Sequence, residues 1–293
     1  MAKARALDKR RKSIRNIRKI TRTMELIATA RFKKAMDRAH AATAYTRRIS
    51  QLVRDLASSG LDVQHPLLQT RETTQRAILL MLTANRGLCG GYNSNVQRAA
   101  FARYAELKQE VPQVDLEISG KRGISAAKFR NLPIAQSFTH FDNRPTFEQV
   151  EVLANRYLHE YATGKLDRLE IVYMRFESVS RQFVSVETLL PLSALEGAQP
   201  AEAAAGQTQY EFFPSAESIL EEVVPASFKV KLFKCFLDAA VSEQIARRVA
   251  MKAATENAGR LIKMLSMAYN RARQSQITGE IMEILGGVEA LKK

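Results

Sequence analysis

"RKITRTMELIATARFKKAM" (18–36) sets six basic residues against the single acid Glu25 and contains neither Gly nor Pro. Ile20, Met24, Ile27 and Ala28 recur at three- and four-residue steps, the spacing of one apolar stripe along an α-helix. Read outward, the stripe takes in Ile14 and Ile17, then resumes with Ala35, Ala39, Ala42, Ile49, Leu52 and Leu56. The first Gly is Gly60 and the first Pro is Pro66, so no helix breaker interrupts residues 1–59. A single long helix over 1–60 is predicted.

The other end of the chain has the same character. No Pro follows Pro225. Phe233, Leu237, Val241, Ile245, Val249 and Ala253 hold the step, and Leu261, Leu265, Ala268, Ala272, Ile277, Ile281, Ile284, Val288 and Leu291 carry it to the end. A helix of about 55 residues at about 1.5 Å each is roughly 80 Å long, more than a compact domain of this mass is wide. A narrow apolar seam on so long a helix is buried by a second helix with the same seam. The two termini are therefore predicted to pair as an antiparallel coiled coil, with the middle of the chain folded as a globular domain. Thr21, Ala28, Ala35, Ala39 and Ala42 on the first seam suit close approach of the helices, at the cost of less burial per turn than Leu would give. The C-terminal stretch is the longer one. Its apolar end, Ile277 to Leu291, outruns its partner and needs another surface.

Charge divides the chain in the same places. The net +15 splits into +13 over 1–60, −4 over 61–225 and +6 over 226–293. Two basic ends around a neutral middle point to a polyanion, an anionic surface or an acidic protein partner. With 46% hydrophobic and 26% charged residues the chain has the composition of a folded protein of one or two domains. It lacks an apolar run long enough to span a bilayer, and no secretory signal is read at its start. The Arg-rich N-terminus shares features with a transit peptide, but its helical pattern runs on for nearly sixty residues and is poor in Ser, so it reads as mature structure.

In the middle, "RAILLMLTANRGLCGGYNSNV" (76–96) reads as a buried strand, a Gly-rich turn and a helix start capped by Asn93 or Ser94. Further strands are predicted at 114–118, 134–138, 168–176 and 183–190, and helices at about 94–109, 122–130 and 146–162. Their alternation argues for an α/β layered domain with a largely parallel sheet over 75–195. Residues 193–209, poor in large apolar side chains, read as a flexible connector to a C-terminal helical segment over 210–293.

Chemistry-bearing patterns are few. Gly87, Gly90 and Gly91 fit neither GxGxxG nor GxxxxGK[ST], so the turn reads as close packing, with no cofactor called. No GxSxG elbow occurs. Cys89 and Cys235 lie far apart and read as buried apolar residues, while His40, His65, His140 and His159 lack ligand spacing; no metal site is called.

Three segments, in order, carry a resemblance: "IRNIRKITRTMELIATARFKKAM", "ANRGLCGGYN" and "SEQIARRVAMKAATENAGRLIKMLSMAYNRARQSQITGEIMEILGG". Together they resemble the gamma-subunit family of the F-type ATP synthases, most specifically at Ile277-Thr278-x-Glu280-x-x-Glu283-x-x-x-Gly287. Two positions depart from the family pattern: Val288 stands where Ala is usual, and Asn85 where Asp is usual. The chloroplast regulatory cysteine insertion is absent, which favours a bacterial type. The resemblance implies a coiled coil of the two terminal helices with a Rossmann-like domain between them. It implies a non-catalytic rotor, one copy per complex, inside a ring of alpha and beta subunits and joined to the epsilon subunit and the c-subunit ring. The expected location is peripheral, at the cytoplasmic face of the bacterial inner membrane, without membrane insertion and without nucleic acid. By matching motif positions it assigns torque or coupling contacts with the hexamer to Met24, Arg247, Gln274, Thr278 and Glu280. The bearing tip would be Ile277, Ile281, Ile284, Leu285 and Val288. From spacing alone Met24 reads equally as a seam residue, and Arg247 and Glu280 as solvated helix charges.

Two other classes fit parts of the sequence. The basic N-terminal helix suits a nucleic-acid binder, although only Phe32 interleaves an aromatic among the basic residues of 1–40. The middle domain could in principle house a nucleotide-dependent enzyme, against which the glycine spacing speaks.

Overall fold

The computed structural model of the chain describes residues 2–58, 67, 71, 73–141, 144–192 and 216–291, with the side chains of 2–3, 40–58, 216–220 and 290 excepted. The expected connector at 193–209 lies outside these residues, as do the side chains of Ala42, Ile49, Leu52 and Leu56 and all of His65. The elements in order are α1 (Ala2–Ser58), β1 (Arg76–Leu82), α2 (Tyr92–Glu110), β2 (Gln113–Ser119), α3 (Lys121–Phe129), β3 (Gln136–Phe138), α4 (Phe147–Ala162), β4 (Arg168–Phe176), β5 (Gln182–Leu190) and α5 (Ala216–Leu291). Two compact units result: Met1–Thr29 with Arg247–Lys293, hereafter unit 1, and Ala30–Ala246, unit 2.

Unit 2 contains a five-stranded sheet in the order β3-β2-β1-β4-β5. The first four strands run parallel and β5 pairs antiparallel with β4 at the edge. The period-two alternation of β1 distributes its side chains to two cores. Ile78, Leu80 and Leu82 pack with α4 and α5 through Leu153, Tyr157, Phe228 and Phe236, whereas Leu79 and Met81 pack with α2 through Val96, Tyr104 and Leu107. A strand covered on both faces shows no polar alternation, which is why RAILLML is almost wholly apolar.

The two buried carboxylates of the sheet are satisfied. Glu117 accepts from Arg156 at 2.5 Å and from the Tyr157 hydroxyl at 2.6 Å. Glu170, on the other face, accepts from Arg103 at 2.7 and 2.9 Å. Burial followed by the charge of Glu117 pushes the Tyr157 hydroxyl well above its ordinary pKa, which keeps it a donor.

Gly120, between β2 and α3, has a φ of 100°, and a Cβ there would run into the Thr83 carbonyl. The close approach lets the Thr83 hydroxyl lie 2.8 Å from the Ser119 carbonyl and accept from the Gly123 N–H at 2.9 Å, tying the ends of β1 and β2 to α3.

A coiled-coil seam within unit 2 joins Ala35 and Ala39 of α1 to Leu237, Val241 and Ile245 of α5. Here the predicted stripe is the buried one. α5 begins at Ala216 and runs through Pro225. The backbone bond lost at Pro225 costs about 3 kcal/mol. Burial of Val224 on one side of it and Phe228 on the other, at about 1.5–3 kcal/mol each, offsets that loss.

Candidate functional site

Unit 1 holds 19 Lys/Arg against six Asp/Glu, a net +13, and so carries nearly all of the chain's charge excess. It is built from the first half of α1 and the last part of α5. Arg11 stacks its guanidinium 4.6 Å from the centre of the Tyr269 ring, and the Thr255 hydroxyl donates to the Thr21 hydroxyl at 2.8 Å. Low numbers on α1 thus meet high numbers on α5, and the helices run antiparallel.

The contact seam in this unit is small and polar. On α1, Thr21, Glu25 and Ala28 are buried, with Leu7, Arg11 and Ile14 half-buried before them. On α5, Met251 and Ala258 are buried, and Thr255, Ile262, Leu265, Tyr269 and Ala272 half-buried. This corrects the sequence reading. Ile17, Ile20, Met24 and Ile27 were expected inside the seam and are 45%, 57%, 36% and 47% exposed. Val249, Leu261 and Ala268 are likewise exposed. The physical reason is phase. Ile20 and Ile27 each stand one position before a smaller residue, Thr21 and Ala28, and the helices approach through those two, where a large side chain would hold them apart. The burial lost is about 25 cal/mol for each Å² left in water, so the arrangement is suited to a helix pair with a further surface around it.

Polar groups hold the register. The Glu25 carboxylate sits in the seam, accepts from Arg22 at 2.9 Å through one oxygen, and leaves its other oxygen without a hydrogen-bond partner. Asp8 takes Lys12 at 3.0 Å and Arg11 at 2.6 Å. Hydrogen bonds from Lys12 and then Arg11 hold its carboxyl below the usual range.

The candidate residues fall at two levels. Met24 is exposed on α1, and Arg247 of α5 is buried at 9% exposure, so Arg247 is not a solvated helix charge. Gln274, Thr278 and Glu280 are exposed on α5, close to the start of α1, since Ala4 and Arg5 share a groove with Gln276 and Ile277. Glu280 accepts from Gln276 at 2.8 Å. With Thr21 opposite Thr255, Met24 and Gln274 are separated by about 33 Å along the pair, at about 1.5 Å per residue. The tip residues Ile277, Ile281, Ile284, Leu285 and Val288 are 43%, 51%, 67%, 57% and 48% exposed. Leu26, Met264 and Met267, more than half exposed, were missed by the sequence reading, which followed the stripes through Ile20 and Leu265.

The Gly-rich turn of unit 2 is packed by its own side chains. Leu88 and Gly90 take positive φ of 64° and 56°, Cys89 and Tyr92 are buried, and the Tyr92 hydroxyl donates to the Ala239 carbonyl at 3.2 Å. Neither Asn93 nor Ser94 caps α2. Gly91 is the cap residue and has no side chain to cap the helix; the Ser94 hydroxyl donates to its carbonyl at 3.0 Å. The Asn93 side chain instead accepts from the Ala84 N–H at 2.9 Å. Asn85 accepts from the Lys121 N–H at 3.0 Å and donates to the carbonyls of Thr139 and Phe141 at 3.0 and 3.4 Å. Among the described residues no His, Cys, Asp and Glu group could hold a metal, and no helix is long and apolar enough to cross a membrane.

A family model described as ATP synthase matches residues 3–291. The chain is 63% identical over 296 residues to the ATP synthase gamma chain of Rhodopirellula baltica, covering 100% of both chains. It is 38% identical over 291 residues to that of Leptospira biflexa, covering 99% of this chain and 100% of the relative. Among solved structures, a chain of the Euglena gracilis mitochondrial ATP synthase in its OSCP/F1/c-ring assembly superposes with a TM-score of 0.67 at 20% identity, covering 99% of this chain and 95% of that one. A chain of the rotor from the same source gives 0.62 at 19% identity, covering 94% and 99%. At those identities the two structures establish the fold.

Proposed function

The chain belongs to the ATP synthase gamma family, and we propose that unit 1 is the part of it that carries torque. The protein is the central-stalk rotor subunit of an F-type ATP synthase, a non-catalytic component that couples proton flow through the membrane sector to ATP synthesis or hydrolysis. Its partners are the alpha and beta subunits of the catalytic hexamer, the epsilon subunit and the c-subunit ring, with one copy per complex. In the cell it is peripheral, at the cytoplasmic face of the bacterial inner membrane.

The observation that carries this reading is the outward turn of Ile17, Ile20, Met24 and Ile27 on a helix pair whose own seam is small and polar. A shaft of that build leaves apolar area for a surrounding surface. An asymmetric shaft in a three-fold ring presents a different face to each catalytic subunit and so biases each toward a different conformation. A partner shifts such an equilibrium only by its differential contact energy, and moving 1:99 to 99:1 takes about 5.5 kcal/mol. Rotation delivers that difference to each subunit in turn. Exposed charged contacts, about 0–1 kcal/mol each, transmit force without locking one angle, and the apolar tip turns in an apolar collar because hydrophobic contact is non-directional.

Met24, Arg247, Gln274, Thr278 and Glu280 are the proposed coupling residues. Met24, being exposed, is free to meet the ring, whereas Arg247 is buried in the free chain. In the assembled complex, Met24→Lys is expected to lower the protons pumped per ATP hydrolysed. Unchanged coupling would remove Met24 from the mechanism. Affinity isolation of the chain from its native membrane is expected to bring down the alpha, beta and epsilon subunits.

A further inference from the structure

Seam residues divide the unit 1 coiled coil into two flanks. In an antiparallel pair, the residue one step before each seam position lies on the same side for both helices, and the residue one step after lies on the other. The grooves follow this rule: Asp8 and Lys12 share one with Arg273 and Ile277, while Leu7 shares another with Ala268 and Ser275.

The flank of preceding residues carries no charge over about four turns. It consists of Ser13, Ile17, Ile20, Met24 and Ile27 on α1, and Ala250, Ala254, Asn257, Leu261 and Met264 on α5, and is ended by Arg10 of α1 and Arg271 of α5. Leu261 and Met264 are 40% and 53% exposed, comparable to the isoleucines across the seam. Arg260 touches the outer edge, where it donates to Asn257. The opposite flank reads Lys12, Arg15, Lys19 and Arg22 in succession on α1, and these four line one groove with Ile262. Lys252, Lys263 and Arg273 continue it on α5, with Glu256 as its acid there.

We propose that the uncharged flank is a docking surface for an apolar, uncharged surface of the subunits that ring the rotor. Facing away from the basic flank, it gives one ring position an apolar contact while the position opposite receives an electrostatic one. This rests on the rotor reading. A second copy of the chain does not fit, because two units of net +13 repel. A lipid surface fits no better, since a membrane-binding helix sets its basic residues beside its apolar face, whereas here they lie across the pair from it. In turning, each ring subunit meets the two chemistries in alternation, so salt weakens the contact at one rotor angle and leaves it at the other.

The test uses the full chain and the alpha-beta hexamer, with binding measured at low and high salt. Ile17→Gln, Ile20→Gln and Leu261→Gln together replace exposed residues with a helix-forming one, and circular dichroism checks that helicity is kept. This variant is expected to bind about tenfold more weakly at both salt concentrations, with the salt dependence unchanged. Lys12→Gln, Lys19→Gln and Arg22→Gln together are expected to flatten the salt dependence. Wild-type affinity in the first variant, or a deficit that vanishes at high salt, overturns the proposal, as does concentration-dependent dimerisation of the wild-type chain that the first variant abolishes. If the wild-type chain fails to bind the hexamer at all, the rotor reading itself falls.

Discussion

Asp167 shows how a single carboxylate ties an edge of unit 2 together. Its side chain is 7% exposed, and it accepts from the N–H groups of Gln75 and Arg76 at 2.9 and 3.0 Å and from Arg71 at 2.5 Å. Burial works to raise its pKa, but the Arg76 and Gln75 N–H groups and the Arg71 guanidinium outweigh it and hold the carboxyl below the usual range. A depressed folded pKa contributes stability above the unfolded value near about 3.9, and that stability is lost as pH falls through the folded pKa. Asp167→Asn is therefore expected to cost about 2 kcal/mol in urea unfolding at pH 7, with the gap to wild type narrowing below about pH 4. Asn85 makes a converse case. Its amide donates to two carbonyls, so the Asp usual in the family would lose both bonds and set a carboxylate against carbonyl oxygens. Asn85→Asp is expected to lower the unfolding free energy by about 1 kcal/mol.

At the scale of the element, the seam of unit 1 separates residues that a stripe on paper treats alike. Ala28 is fully buried while Ile20, on the same predicted stripe, is 57% exposed. Ala28→Leu is expected to destabilise the coiled coil by about 1–3 kcal/mol through overpacking, whereas Ile20→Gln stays within about 0.5 kcal/mol. Thermal unfolding followed by circular dichroism distinguishes the two; equal effects would mean that the seam has been assigned to the wrong face. The register itself is polar, resting on Thr21 with Thr255 and on Arg11 with Tyr269. Such contacts fix an alignment better than a row of alanines, which slides at little cost.

For the whole molecule, stability is expected to be graded. β1 is buried on both faces, while residues 277–289 of α5 are all exposed. An unsupported helix of that length is marginal in water. Hydrogen exchange of the isolated chain should thus be fast over 279–291 and orders of magnitude slower in β1. Protection of 279–291 equal to that of β1 would contradict the reading that the tip needs a collar from outside.

The sequence by itself determined the element types, the largely parallel sheet, the two long terminal helices and the concentration of charge at the ends, because each follows from local properties: periodicity, the placement of Gly and Pro, and composition. The family was legible for the same reason, in the runs around Ile277 to Gly287 and Gly87 to Gly91. Which stripe of α1 faces α5 was not legible. Ile17, Ile20, Met24 and Ile27 are the larger apolar residues, and on hydrophobicity alone they belong inside. The sequence reading set Thr21 and Ala28 on the seam together with them, and only the tertiary structure kept these two, with Glu25, inside and turned the larger residues out, because close packing between two helices depends on the size and shape of both surfaces together, and a one-residue change of phase turns the apolar side chains toward solvent.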